Sequence, residues 1–116
     1  MTYTKEQWYK ACNQVEASGR TTGEIIGDGG KARGPLQIHV SYWKDSNIGG
    51  KYEDVDDWET AKKCADGYLK RYGKSSWSDT MSLEDCEKCA KIHNGGPGGP
   101  GNPATNGYWE KFKKHL

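Results

Sequence analysis

Apolar positions along this chain recur mostly at helical spacing. Trp8, Ala11, Cys12 and Val15 fall three and four residues apart behind a capping box of Thr4 and Gln7, and predict a first helix that Gly19 ends. A longer stripe of Trp58, Ala61, Cys64, Ala65, Tyr68, Leu69 and Tyr72 follows Asp56 as cap and stops at Gly73, which predicts the central core helix. Ser82 with Asp85 opens another, running through Cys86, Cys89, Ala90 and Ile92. Pro35 suits the first turn of a short helix over residues 36–46, and Thr105 or Asn106 caps a last helix bearing Tyr108, Trp109 and Phe112. The clear β signal lies in residues 21–38, where Glu24-Ile25-Ile26 and Lys31-Ala32-Arg33 read as short strands around the turn Gly27-Asp28-Gly29-Gly30. Residues 94–103 hold five Gly and three Pro, too many for a regular element, and the 13 residues after them are too few for a second domain. They are expected to form a loop.

Composition changes this picture in two ways. Leu, Ile, Val and Phe supply only 13 of 116 residues, a level that signals disorder when net charge is high, but here the net charge is +1. Five Trp and seven Tyr make up the missing apolar area, so a single domain (residues 1–116) with a small, aromatic-rich core is expected. Lys and Arg alternate with Asp and Glu, which argues against nucleic acid as the main partner. No apolar run approaches the roughly 20 residues that span a bilayer, so no membrane partner is expected, and residues 1–20 lack the pattern of a signal peptide.

The four cysteines Cys12, Cys64, Cys86 and Cys89 form an even set in a small domain poor in aliphatics, which favours disulfides in one of three pairings over free thiols. Cys86 and Cys89 also have redox or zinc spacing. They lie inside a helical pattern, however, and Cys12, Cys64 and His93 are too scattered along the chain to complete a metal site, so no metal is expected.

Candidate chemistry rests on two carboxylates twelve positions apart. Glu16 lies four residues after Cys12 and eight after Trp8, on the flank of the buried face near the helix end, where burial can desolvate a carboxyl group as a general acid requires. Asp28 sits in the glycine-rich turn, where it also reads as a plain turn aspartate. Hydrolysis of a glycosidic bond needs one carboxylic acid to protonate the leaving oxygen and one carboxylate to stabilise or trap the cationic sugar.

Several blocks, in this order and over roughly residues 8–115, resemble the invertebrate-type lysozymes, a family that includes the destabilases. They are Val15-Glu16, Asp28, Gly34-Pro35-Leu36-Gln37-Ile38, Tyr42-Trp43-Lys44-Asp45, Tyr68 to Gly73, Ile92-His93-Asn94-Gly95-Gly96-Pro97 and Asn106-Gly107-Tyr108-Trp109. The resemblance implies a lysozyme-like α+β fold, mostly helical with a small β-hairpin beside the active-site cleft. It matches Glu16 to the general acid and Asp28 to the nucleophile or stabiliser of a retaining muramidase. That enzyme cuts the β-1,4 bond between N-acetylmuramic acid and N-acetylglucosamine in peptidoglycan. It also implies Gln37, His39, His93, Asn94 and Gly95 as contacts for sugars. A secreted monomer without cofactor, acting on peptidoglycan strands or chitooligosaccharides, is the expectation that follows.

The chain departs from the family in having far fewer cysteines, with Ser46 after the Tyr-Trp-Lys-Asp block and Arg33 before Gly34-Pro35 at cysteine positions. Cys86 matches a family cysteine and Cys64 lies near another, so Cys64–Cys86 is the first pairing the resemblance suggests. Two other functions stay open at this point: a glycan-binding module without catalysis, and an isopeptidase using a serine such as Ser46 with Lys51.

Overall fold

The computed structural model describes residues 1–116. Its helices are α1 (Lys5–Ala17), α2 (Val40–Ser46), α3 (Trp58–Tyr72), α4 (Leu83–Gly95) and α5 (Asn106–Lys113). Between α1 and α2 lie three two-residue strands, β1 (Ile26–Gly27), β2 (Ala32–Arg33) and β3 (Ile38–His39), which pair antiparallel in the order β1-β2-β3. The α+β class read from the sequence is the observed one, with a third strand added to the hairpin. None of the helices is long and apolar enough to cross a membrane.

The predicted capping boxes form. The Thr4 hydroxyl accepts from the Gln7 amide at 3.1 Å while the Gln7 side chain accepts from Thr4 N–H at 2.8 Å, and Ser82 and Asp85 exchange the same pair of bonds at 3.1 and 3.2 Å. One core cluster joins all five helices through Trp8, Tyr42, Leu69, Ile92 and Phe112. Trp8 has no exposed surface, and its ring meets Tyr9, Trp77 and His93 edge-on at centroid distances of 6.0, 5.1 and 5.7 Å. Outside the core, Asp66 gathers Lys5 at 3.0 Å, Lys70 at 2.9 Å and the Trp77 indole N–H at 2.9 Å. Burial opposes its charge, but those three hydrogen bonds hold its carboxyl below the ordinary range.

Several expectations are corrected. All four cysteines are free and buried, so neither Cys64–Cys86 nor any other disulfide forms. Each thiol instead fills core space as a small apolar group. Burial first of all pushes Cys64 and Cys86 up to about 11 and Cys89 up to about 12, which keeps them uncharged and unreactive. The cap of α3 is Asp57, whose carboxylate accepts from Thr60 N–H at 3.0 Å, because Asp56 is taken by Arg33 in a two-point ion pair at 3.0 and 2.7 Å. Residues 36–46 are not one helix: Gln37 has φ of +50° and Ile38–His39 extend as β3 before α2 begins. The Gly/Pro stretch is ordered as tight turns at Gly99–Gly101 and Pro103–Thr105, and α4 continues through Asn94 to Gly95. Thr105 does not cap α5 with its side chain, since its hydroxyl donates to the Gly99 and Asn102 carbonyls, each at 2.8 Å.

Two contacts set the sheet against α1. The buried Asn13 side chain donates to the Arg20 carbonyl at 2.8 Å and the Pro35 carbonyl at 3.0 Å, tying the helix to both flanks of the hairpin. Gly34 makes the turn into Pro35 with φ of +83°, and a Cβ there would run into the Val55 carbonyl oxygen. Gly34→Ala should therefore lower the unfolding free energy by at least about 2 kcal/mol, since left-handed backbone alone costs an L-residue roughly 1–2 kcal/mol. Urea denaturation with an unchanged midpoint would contradict this account of the turn.

Candidate active site

The register of α1 is fixed by Trp8 in the core, and two turns later it delivers Glu16 to the inner edge of a cleft. Only 18% of the Glu16 side chain is exposed. Its Oε2 accepts from the Tyr108 hydroxyl of α5 at 3.0 Å and lies 3.2 Å from Nε2 of His93 on α4. Both contacts fall on one oxygen, which leaves Oε1 without a protein partner.

His93 is almost wholly enclosed, with 2% of its side chain exposed. Its Nδ1 is 2.8 Å from the Tyr42 hydroxyl and its Nε2 is 3.0 Å from the Leu36 carbonyl. A carbonyl can only accept, so Nε2 carries a hydrogen in either charge state. Nδ1 accepts from Tyr42 when the ring is neutral and donates to it when the ring is charged. Burial opposes that charge, the Cys12 sulfur and the Glu16 carboxylate favour it, and the balance lies well above the ordinary imidazole value. Burial likewise pushes the hydroxyls of Tyr42 and Tyr108 well above their usual range, so both stay protonated and able to donate.

Asp28 stands opposite in kind. It occupies the tip between β1 and β2 with φ of +51°, a conformation aspartate tolerates better than most residues, and Gly29 and Gly30 continue the positive φ run. Its side chain is 64% exposed, and Oδ2 lies 3.2 Å from Nε2 of His39. The turn reading and the catalytic reading of Asp28 are thus compatible, because the turn is what presents the carboxylate.

The cleft, about 410 Å³, is lined by Glu16, Asp28, Gln37, His39, His93 and Asn94. An adjoining hollow of about 180 Å³ shares the last four and runs past Ser41 and Asp45. The two carboxylates read from the sequence therefore meet at one cleft. The five sugar contacts suggested by the family divide. Asn94 is exposed, lines both hollows and makes no side-chain bond within the protein, so it is free for a ligand. His39 is engaged by Asp28, and His93 is a buried partner of Glu16. Gln37 donates its amide to the Ile25 and Gly34 carbonyls at 3.1 and 2.9 Å, which builds the wall of the cleft. Gly95 ends α4 against Thr105 and lines neither hollow.

Beyond the block Asn106-Gly107-Tyr108-Trp109 no sequence pattern marks Tyr108 as a partner of Glu16, and Tyr42, which with Trp109 could by type stack on a sugar ring, instead meets His93. Tyr42 and Trp109 are core residues, both buried. Ser46 is buried too, and its hydroxyl donates to the Trp43 carbonyl at 2.6 Å, so it is not presented as a nucleophile. Cys12, one helical turn before Glu16, turns out not to be scattered from His93: its sulfur, a Glu16 carboxylate oxygen and a His93 ring nitrogen all lie within 4.8 Å of one another.

The destabilase family model matches residues 10–115. A lysozyme of Ostrea edulis is 39% identical over 83 residues, which cover 69% of this chain and 57% of that protein, so the chain spans little more than half of its length. A lysozyme of Meretrix lusoria is 32% identical over 108 residues, covering 87% of this chain and 81% of the other. Among solved structures, the Tapes japonica lysozyme superposes with a TM-score of 0.75 at 30% identity, over 94% of this chain and 88% of that one.

The His93–Glu16 contact carries a pH signature. A group whose pKa is raised on folding contributes stability that is complete below its unfolded value, about 6.5 for imidazole, and that is lost as pH rises through the folded value. The gap in thermal midpoint between wild type and His93→Gln should be widest in mildly acidic buffer and narrow as the buffer is made alkaline. A gap independent of pH would remove the charge from His93.

Proposed function

Because this chain belongs to the destabilase family of invertebrate-type lysozymes, we propose that it is a peptidoglycan-degrading glycoside hydrolase, with Glu16 and Asp28 as its catalytic pair. The observation that carries this reading is the meeting of those two carboxylates, in unlike surroundings, at one polar cleft. The substrate is the β-1,4 linkage between N-acetylmuramic acid and N-acetylglucosamine, with chitooligosaccharides as simpler analogues. Such walls lie outside the cell membrane, and the protein acts there.

In the reaction, Glu16 gives a proton to the departing glycosidic oxygen from Oε1, the oxygen that has no partner within the protein. Tyr108 and His93 hold Oε2 and so fix the direction of the proton. Asp28 faces the developing positive charge at the sugar carbon and traps or stabilises it, with His39 steadying its Oδ2. Glu16, now ionised, then takes a proton from water as that water attacks the same face, which gives retention. A retaining pair works at a carboxyl separation of roughly 5–5.5 Å once substrate is bound. Asn94 is the side chain with free donors and an acceptor for a sugar hydroxyl or N-acetyl group.

Glu16→Gln keeps the shape of the side chain and removes the acid. It should cost at least about two decades of wall-lysing rate, the lower bound for losing general acid catalysis. Clearing of a turbid bacterial wall suspension at wild-type speed by a folded Glu16→Gln protein would refute the assignment. Asp28→Asn is the matched variant for the second carboxylate, since asparagine also accepts positive φ. It should suppress release of reducing sugar while leaving the unfolding midpoint nearly unchanged. Proton NMR of the first product from a chitooligosaccharide should reveal the β-anomer, whereas the α-anomer would indicate inversion and a different role for Asp28.

A further inference from the structure

We propose that Cys12, Glu16 and His93 form a binding site for a thiophilic divalent cation, zinc in the first instance, and that the bound ion silences the enzyme by occupying its acid. The inhibitory half of this proposal rests on the reading of Glu16 as general acid. The metal site itself does not.

The site follows from helix geometry. Residues four apart on a helix share a face, so α1 presents the sulfur of Cys12 and the carboxylate of Glu16 together, and α4 brings His93 against them. The three ligand atoms lie within 4.8 Å of one another. One thiolate, one imidazole and one carboxylate are a donor set suited to zinc, which takes four ligands at about 2.0–2.3 Å, so only small side-chain movements are needed. A water from the cleft supplies the fourth, beside the Tyr108 hydroxyl that lies 3.5 Å from the Cys12 sulfur and 3.0 Å from Glu16 Oε2.

The protons balance in a definite way. Zinc displaces the Cys12 thiol proton to solvent and requires a bare Nε2 on His93, so a charged ring releases its Nε2 proton to solvent as well and a neutral ring moves it to Nδ1. The remaining ring hydrogen then sits on Nδ1, where the Tyr42 oxygen 2.8 Å away accepts it. That is the outer contact that usually orients a histidine bound to metal. The Leu36 carbonyl loses its donor, and Tyr42 changes from donor to acceptor if the ring was neutral before. Cys12 therefore differs from Cys64, Cys86 and Cys89, which are equally buried but have no such partners within reach. With one Glu16 oxygen held by zinc, the positive ion makes the carboxylate far less basic, so its other oxygen is stripped of the proton needed by the leaving group.

The full chain, stripped of metal with a chelator, is titrated with zinc by calorimetry and with cobalt by absorption spectroscopy. One zinc per chain and a thiolate-to-cobalt charge-transfer band in the near ultraviolet are expected, the band surviving in Cys64→Ser. Cys12→Ser should lose the band and weaken zinc binding by at least about tenfold. The wild-type spectrum alone keeps the test decisive if Cys12→Ser does not fold. No zinc uptake, no charge-transfer band, or equal binding by a folded Cys12→Ser protein overturns the site. In wall lysis, zinc should inhibit wild type over the concentration range of the calorimetric curve, with chelator restoring the rate. Intact Cys12-dependent binding with full lysis at saturating zinc would keep the site and instead overturn Glu16 as the acid, so the two readings fail separately.

Discussion

The enclosed indole of Trp8 is the contact on which this molecule depends. A chain with so few aliphatic side chains closes its core on aromatic rings. A tryptophan buries roughly 150–250 Å², which at about 25 cal/mol per Å² corresponds to an upper estimate of about 4–6 kcal/mol from one residue. Its N–H donates to the Cys86 carbonyl at 3.3 Å, so the ring is held at its polar edge as well as on its faces. Fixing Trp8 fixes the rotation of α1, and that rotation decides where Cys12 and Glu16 point. The ring also meets His93 edge-on, so the same side chain that anchors the core forms a wall behind the partner of the candidate acid.

What the sequence made legible is what local physics controls. Periodicity located α1, α3 and α4, and side-chain caps fixed the starts of α1 and α4, because the groups that start and stop a helix lie within four residues of one another. The errors have the same origin in reverse. Asp56 and Asp57 are equally good caps by type, and only the approach of Arg33, 23 residues away along the chain, assigns Asp56 to another bond. Gln37 interrupts the expected helix because its amide is drawn to two carbonyls of the turn it closes. The partners of Glu16 were out of reach for the same reason. Tyr108 lies 92 residues away in the chain, and family blocks gave its position but no hint that its hydroxyl would meet the acid.

The cysteines test how far composition can be pushed. An even count in a small domain is compatible with a disulfide framework, but it is equally compatible with four small side chains facing one core, and here each thiol is buried and none is paired in a disulfide. The work that crosslinks do elsewhere falls to packing and to polar ties such as Asp66 with Lys5, Lys70 and Trp77, and Arg33 with Asp56. These ties sit at the rim of the core, partly exposed, where ion pairs alone contribute little. Their effect is to set the register between elements that the apolar contacts already hold.

Unlike surroundings for two like groups are the deeper consequence of this arrangement. Glu16 is fixed from below by a helix in the core and from two sides by Tyr108 and His93. Asp28 is fixed by a turn whose three successive left-handed residues leave its carboxylate facing water. A ligand laid in the cleft would meet the two carboxylates in unequal states, one already shut off from most of the water and one still facing it. Each lies 3.2 Å from an imidazole nitrogen, Glu16 from the enclosed His93 and Asp28 from the half-exposed His39, so what separates them is burial and the second donor, Tyr108, on Glu16. The two surroundings are therefore set by the fold itself, before anything occupies the cleft. That division follows from the placement of one carboxylate on a core helix and the other on a glycine turn, and it is the physical reason both elements must be tied to each other through Asn13.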